Sequence, residues 1–525
     1  MTGGSVNKKL TGAFLVSALM MNTTQMAFAQ QVTLRTVDGQ SSMQGVLLPG
    51  EADVFVIETA VGIMRISKSD VECLGAACPV IVRQPADVIV HGSDTIGDKL
   101  FPLLVQGYAE ALNATVTNTE DLGDTRTELQ VYDAGGFGNR VLTVEVQAAG
   151  SSTGLRSLID GTADIGMSSR PVTPEEIAAI AQQGRGDLLD LSQEYIVAVD
   201  SILAIVSPNN PVSDLTVGQM SDIFSGRVRN WADVGGPDLP ITVYTRDAES
   251  GTRGVFTSQI LAPAGVDMSA TAVVVGGNEQ MAQQVVADIG GIGYVGFASL
   301  GDAKSVNLIA SCGIKMVATE FAAKTEEYPL ERRLRLFTDN NPKPRTQNLL
   351  DFSISPSADI LVREAGFIDL GVSVRENYQT TMDLNAQEFI DEPAALSYLS
   401  EMVSTLSNAE RLSTTFRFEI GSAVLDNKAQ RDIVRVVEYL KRPENAAREV
   451  VFVGYSDDVG AFELNGALSS SRADTTLRAV LSHPDARQMD RTRFRAAGFG
   501  ELAPVACNDD EDGRRRNRRV ELWLR

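Results

Sequence analysis

Histidine is nearly missing from this sequence: only His91 and His483 occur in 525 residues. No nucleophile therefore stands at motif spacing from a histidine base, and no cluster of metal ligands can be drawn from the chain. That argues against an enzyme and predicts no catalytic residue, no metal and no cofactor. Basic charge is also short, with 46 Lys and Arg against 68 Asp and Glu and a formal net charge of −22. A general nucleic-acid binder needs a basic face, so that class is excluded. A small-anion site is not, because a few oriented N–H groups and one arginine act within a Debye length of about 8 Å.

Long apolar runs are lacking too. The stretch from Leu10 to Met21 is broken by Thr11, Gly12 and Ser17 and falls short of the roughly 20 residues that span a bilayer. No later stretch does better, so no transmembrane segment is expected. The early run fits a secretory signal over residues 1–29: Lys8 and Lys9, an apolar core, then Ala27-Phe28-Ala29 as a small-x-small cleavage site. Its removal leaves 44 basic and 68 acidic residues, a formal charge of −24. No cysteine follows the apolar core, which speaks against a lipid-anchored start. Of the four cysteines, Cys73 and Cys78 close a short loop and should pair in an oxidising compartment. Cys312 and Cys507 lie far apart, and their pairing is left open because cysteine geometry cannot be read from sequence.

At about 100 to 200 residues per domain, the length implies three or four units. Residues 30–82 read as a small β unit, in which Val32, Leu34 and Val37 precede an Asp38-Gly39 turn and Phe55, Ile57 and Thr59 alternate. Residues 83–378 switch to strands alternating with helices, the pattern of an α/β domain. Residues 379–411 form a connector, with Leu396, Leu399, Val403 and Leu406 at helical spacing as a packing stripe. Residues 412–525 read as a separate α/β sandwich whose last strand alternates Val520, Leu522 and Leu524.

Three strand-to-helix turns share one chemistry: Gly92-Ser93-Asp94-Thr95, Gly150-Ser151-Ser152-Thr153-Gly154 and the turn from Arg246 to Thr252. The first N–H groups of a helix lack internal partners and carry partial positive charge, so they favour an oxyanion. Glycine permits close approach, hydroxyls donate further bonds, and Arg246 supplies a forked, permanently charged donor. Ser, Thr and Asp are equally ordinary N-caps, so each turn alone also reads as a plain cap. No Gly-Lys-Ser or Gly-Lys-Thr follows, which excludes the nucleotide P-loop.

Taken together, Gly150 to Gly154, Ala163-Asp164-Ile165-Gly166-Met167-Ser168-Ser169-Arg170-Pro171, Ile223-Phe224-Ser225-Gly226 with Asn230-Trp231, the Arg246 to Thr252 turn and Ile292-Gly293-Tyr294-Val295 resemble PstS-type phosphate-binding proteins. The resemblance covers about residues 86–300. It implies a two-lobe, type II periplasmic binding fold that closes on phosphate or a related oxyanion and hands it to an ABC transporter permease. By motif, it assigns the contacts to Thr95, Ile96, Ser151, Ser169, Arg246, Ser250, Gly251 and Thr252. One position departs from the family pattern: where members carry an aspartate that accepts a proton from phosphate, this chain has Ser169, with Arg170 beside it as a further positive charge.

The C-terminal segment carries Gly454-Tyr455-Ser456-Asp457-Asp458, Asn465-Gly466-Ala467-Leu468-Ser469 and Arg472-Ala473. Asp457 and Arg472 could hold a zwitterion between carboxylate and guanidinium, or could form an internal salt bridge. With Gly498-Phe499-Gly500-Glu501, Gly513-Arg514 and Asn517-Arg518-Arg519-Val520-Glu521, these motifs resemble the OmpA-type peptidoglycan-binding domain. The resemblance implies that Asp457 and Arg472 hold the diaminopimelate of the stem peptide. The basic run from Arg514 to Arg519 reads as partly structural and partly solvated. The expected protein is thus periplasmic, attached to the cell wall and so associated with the outer membrane. The competing reading is a structural wall-bound protein whose receptor-like domain contacts a protein partner instead of an anion.

Overall fold

The computed structural model describes residues 31–525 except 37–40, 50–53, 69–70, 80–84, 124, 134–139, 249, 376–392 and 419–424. The signal segment, the Asp38-Gly39 turn and the start of the connector lie outside the described residues. The chain divides into two compact units near Pro85.

The first unit is an antiparallel sheet of β1 (Gln31–Thr36), β2 (Ser42–Leu48), β3 (Val54–Thr59), β4 (Gly62–Ser67) and β5 (Val71–Leu74), in the order β4-β3-β2-β1-β5. Its strands place alternate residues on one face, so Val32, Leu34, Phe55, Ile57 and Val71 form its small core. Cys73 and Cys78 are joined by a disulfide.

In the second unit a two-lobed domain is built from β6 (Val88–Gly92), β7 (Ala114–Gly123), β8 (Arg126–Asp133), β9 (Arg140–Ala148), β10 (Ile165–Ser168), β11 (Glu194–Val206), β12 (Asp214–Thr216), β13 (Thr242–Arg246), β14 (Val273–Val275), β15 (Gly291–Gly296), β16 (Lys304–Ile309), β17 (Lys315–Met316) and β18 (Glu331–Phe337). The sheet runs β14-β13-β15-β11-β18-β10-β6-β9-β8-β7. All thirteen residues of β11 are buried, as expected for a strand covered on both faces. Its first half, Glu194 to Ser201, pairs with β18, and its second half, Ile202 to Val206, pairs with β15. The two lobes therefore share one strand. A first core gathers Val90, Phe101, Leu104, Val144 and Leu336, and a second gathers Phe224, Trp231, Phe256, Ile292 and Tyr294.

Helices begin where the chain supplies caps. Thr173 accepts from the Glu176 amide while its own amide reaches the Glu176 carboxylate, a complete capping box for Pro174–Gln182. The helix Ser151–Asp160 ends at Gly161, whose φ of +72° few other residues tolerate.

The C-terminal domain has the sheet order β19-β20-β23-β21-β22, with β19 (Val374–Arg375), β20 (Glu410–Arg417), β21 (Val450–Gly454), β22 (Phe494–Gly498) and β23 (Arg519–Leu524). Both faces are covered. Val450, Phe452, Val520, Leu522 and Leu524 meet the helices Asn427–Leu440 and Phe462–Ser482, while Val451, Val453 and Trp523 face the other side. The helix Pro393–Leu406 covers that second face with Ala395, Met402 and Leu406. The expected stripe is thus shifted: Leu396 and Val403 are 46% and 43% exposed, because the helix turns Ala395 and Met402 inward instead.

This domain is fastened to the two-lobed domain. A disulfide joins Cys312 to Cys507, answering the pairing that sequence left open. Arg411 pairs with Glu327, Arg333 bridges Glu326 (2.7 Å) and Asp426 (2.8 Å), and Asn427 donates to Glu194 at 2.8 Å. Burial alone would raise the Glu326 carboxyl, but Arg333, Lys428 and Arg417 around it hold it well below the usual carboxylate range.

Candidate functional site

Each of the three turns sits at the end of a strand. Gly92 ends β6 with φ +143°, and a Cβ there would lie 2.2 Å from the Met167 carbonyl oxygen, so only glycine fits beside β10. Gly154 packs likewise on β6, where an added Cβ would lie 2.4 Å from the His91 carbonyl oxygen. These two glycines let the first and second turns converge. From the other lobe, an added Cβ on Gly251 would stand 2.3 Å from Ser169 Oγ and 3.0 Å from Ser151 Oγ. The second-lobe turn thus touches the first-lobe serines directly, and Ser151 Oγ accepts from the Ser169 amide at 3.1 Å.

Arg246 is 2% exposed. Its Nη2 donates to Asp94 of the first lobe at 3.0 Å and its Nη1 to Asn278 at 2.8 Å, while its Nε is buried without a partner. The backbone at Arg246 is fixed from behind, since its amide donates to the Tyr294 hydroxyl and its carbonyl accepts from Arg253 at 2.9 Å. Tyr294 in turn stacks on Phe256 at 4.3 Å. The Ile292-Gly293-Tyr294-Val295 motif therefore acts by anchoring the arginine.

A cavity of about 700 Å³ opens between the lobes. Of the expected contact residues, Thr95, Arg246 and Ser250 line it. Ser151, Ser169, Gly251 and Thr252 lie together, all buried, where the turns meet. Ser151 and Gly251 open helices, so their first-turn amides have no intrahelical partner. Ile96 fits the expectation least. Its side chain belongs to the first core, and its amide donates to the Ser93 carbonyl at 3.2 Å, so that donor is used within the turn. Ser93 Oγ is instead a buried hydroxyl without a partner.

Arg170 does not add a free positive charge. Its guanidinium pairs with both oxygens of Glu176, at 3.0 and 2.7 Å, and reaches Ser152. Four further residues at the cleft escaped sequence reasoning: Asp94 and Asn278, which hold Arg246, and Asp200 and Arg332, which pair at 2.7 Å. Asp98 stands at the mouth, where loss of surrounding water and then the charge of Asp94 raise its carboxyl to about 6.

In the C-terminal domain, Asp457 follows β21 and Arg472 lies on the helix Phe462–Ser482. They do not form the simple internal pair. Asp457 accepts from Arg518 at 2.7 Å, and Arg472, 3% exposed, leaves Nε and Nη1 buried without partners. Burial and the neighbouring Arg518 pull the Arg472 guanidinium below its ordinary value, against the attraction of Asp457. Of the basic run, Arg516, Arg518 and Arg519 are buried and paired with Asp512, Asp457 and Glu521.

Among the described residues no group of three or more His, Cys, Asp or Glu is placed to hold a metal, and no helix is long and apolar enough to cross a membrane. Residues 127–357 match the family model of the PBP superfamily domain, and residues 417–518 match that of the OmpA family. The phosphate-binding protein PstS of Bacillus subtilis is 29% identical over 249 residues, which span 47% of this chain and 75% of that protein. A solved ABC-type phosphate transport receptor from Vibrio cholerae is 25% identical and covers 54% of this chain and 99% of its own, with a TM-score of 0.41. The peptidoglycan-associated lipoprotein of Burkholderia pseudomallei is 26% identical over 21% of this chain and 89% of its own, with a TM-score of 0.19.

Proposed function

From a chain that joins a PBP superfamily domain at residues 127–357 to an OmpA family domain at residues 417–518, we propose a receptor that captures phosphate or a related oxyanion while its C-terminal domain holds peptidoglycan. The observation that carries the first half is Arg246. A guanidinium that is 2% exposed, with one N–H unpartnered, faces a cavity whose walls end in helix N-termini and hydroxyls. Asp94 meets its charge through Nη2, and the donor left over for an incoming oxyanion is the buried Nε. Thr95, Ser151, Ser169, Ser250, Gly251 and Thr252 complete the cage. Ile96 adds packing beneath it. Without a carboxylate at Ser169, the acceptor for a protonated oxyanion is Asp94, whose Oδ2 lies 3.0 Å from Arg246.

The second half rests on Arg472. Its unpartnered buried donors suit a carboxylate, and Asp457 beside it suits an ammonium. Together they fit the zwitterionic end of a diaminopimelate stem peptide. The role is binding, not catalysis, and the place is the periplasm, with the wall as anchor and an ABC permease as recipient of the anion. Isothermal titration with inorganic phosphate tests the capture, and sedimentation with purified sacculi tests the anchor. Absence of heat with phosphate, while the protein still sediments with sacculi, would leave a wall-bound protein with no anion to carry.

A further inference from the structure

Arg332 lines the cleft, and the cage above does not use it. It lies on β18 opposite Asp200 on β11, in the strand pair that links the lobes. Its side chain is 1% exposed and that of Asp200 is fully buried. Nε and Nη2 donate to Asp200 Oδ2 at 3.0 and 2.7 Å, so the charge is met in place. Asp200 is itself fixed, its Oδ1 accepting from the Phe297 amide at 2.9 Å. Gly296 leaves room for the pair, since a Cβ there would stand 2.5 Å from Asp200 Oδ2 and 3.1 Å from Arg332 Nη2.

The rest of the fork goes to two hydroxyls from opposite lobes. Nη1 donates to Thr252 Oγ1 at 2.8 Å, and Nη2 makes a longer contact of 3.5 Å to Thr95 Oγ1. A hydroxyl has one hydrogen and two lone pairs. Once a guanidinium occupies a lone pair, the hydroxyl hydrogen must point elsewhere, and the charged donor also polarises the O–H bond. Thr95 and Arg332 both line the cavity between the lobes, and Thr252 follows Gly251, which packs on Ser169 and Ser151 where the turns of the two lobes meet. We propose that Arg332 is a positioning residue for oxyanion capture: neutralised by Asp200, it turns the hydroxyls of Thr252 and Thr95 into committed donors and ties the two lobes at the same point.

This inference rests on the anion reading of the cleft. It is tested by a double-mutant cycle on the full chain, with titration calorimetry against inorganic phosphate and a melting curve for each variant. Arg332→Met is expected to weaken phosphate binding at least tenfold, and Thr252→Val by a similar factor. The double variant should bind no more than about threefold worse than the weaker single, because the guanidinium acts through the hydroxyl. Multiplicative losses would overturn the proposal. Should Arg332→Met not fold, Arg332→Lys keeps a charge for Asp200 but not the fork, and a wild-type affinity in that variant would equally overturn it. Wild-type protein that binds no phosphate would remove the anion reading itself, and this inference with it.

Discussion

The disulfide between Cys312 and Cys507 closes a loop of 195 residues and ties the C-terminal domain to the second lobe. Replacing both cysteines by serine should loosen that tie by a calculable amount. For a loop of that length the chain-entropy relation gives about 18 cal/mol/K, or about 5 kcal/mol at 25 °C. The buried ion pair of Arg411 with Glu327 and the partly exposed pair of Arg333 with Asp426 stay in place without the covalent link, so the domains remain docked and the observed loss should be about 2 to 5 kcal/mol. The sequence provides its own reporters, because there are only two tryptophans. Trp231 is buried in the second-lobe core and Trp523 in the C-terminal core. In urea, with Trp231 or Trp523 replaced by phenylalanine in turn, the intact protein should show closely spaced transitions. The Cys312→Ser, Cys507→Ser protein should unfold at lower urea, with the Trp523 transition separating from the Trp231 transition. Unchanged midpoints for both reporters would refute the idea that this bridge braces the two domains.

Asp457→Ala with Arg472→Ala should abolish sedimentation with purified sacculi while leaving phosphate titration unchanged, and equal sedimentation of variant and wild type would contradict the anchor. Asp98 is pushed up to about 6 in the folded protein, so the fold favours its protonated form. Relative to Asp98→Asn, wild-type stability is therefore highest below about pH 4 and falls as the pH rises through 6, by under about 1 kcal/mol once solvent screening at the cleft mouth is counted. Melting curves of the two proteins at pH 4, 5, 6 and 7 check this, and a constant offset between them would count against it.

What could be read from the sequence was whatever leaves a local signature. The three turns announce themselves because glycine, small hydroxyl residues and a following helix must sit together for a backbone to approach an anion. The C-terminal strands announce themselves because Val450 to Val453 and Val520 to Leu524 fill both faces of a covered sheet. The missed residues act across long separations. Arg332 meets Asp200 from 132 positions away, and Asp94 meets Arg246 from 152 away, so neither pairing has a spacing to recognise. One hint was present: Glu331, Arg332, Arg333 and Arg335 crowd charge into a strand that also carries Leu334 and Leu336. Such a strand must bury its charges on one side or the other, and it does both, sending Arg332 to the cleft and Arg333 to the C-terminal domain. The shifted stripe on the helix Pro393–Leu406 has a similar cause. Its inward face is set by Ala395 and Met402, which share a core with Trp523 and Tyr455, and the spacing of leucines does not reveal this.

Under the proposed function, Arg246 and the turns around it hold an oxyanion. Titration calorimetry of wild type and Arg246→Ala with phosphate and with sulfate tests it most directly. The expected phosphate dissociation constant is below about 10 µM, equivalent to roughly 7 kcal/mol, with a loss of about 2 to 5 kcal/mol in the variant, where Asp94 is left without its partner. Heat from neither anion, or equal affinity in the two proteins, would contradict it.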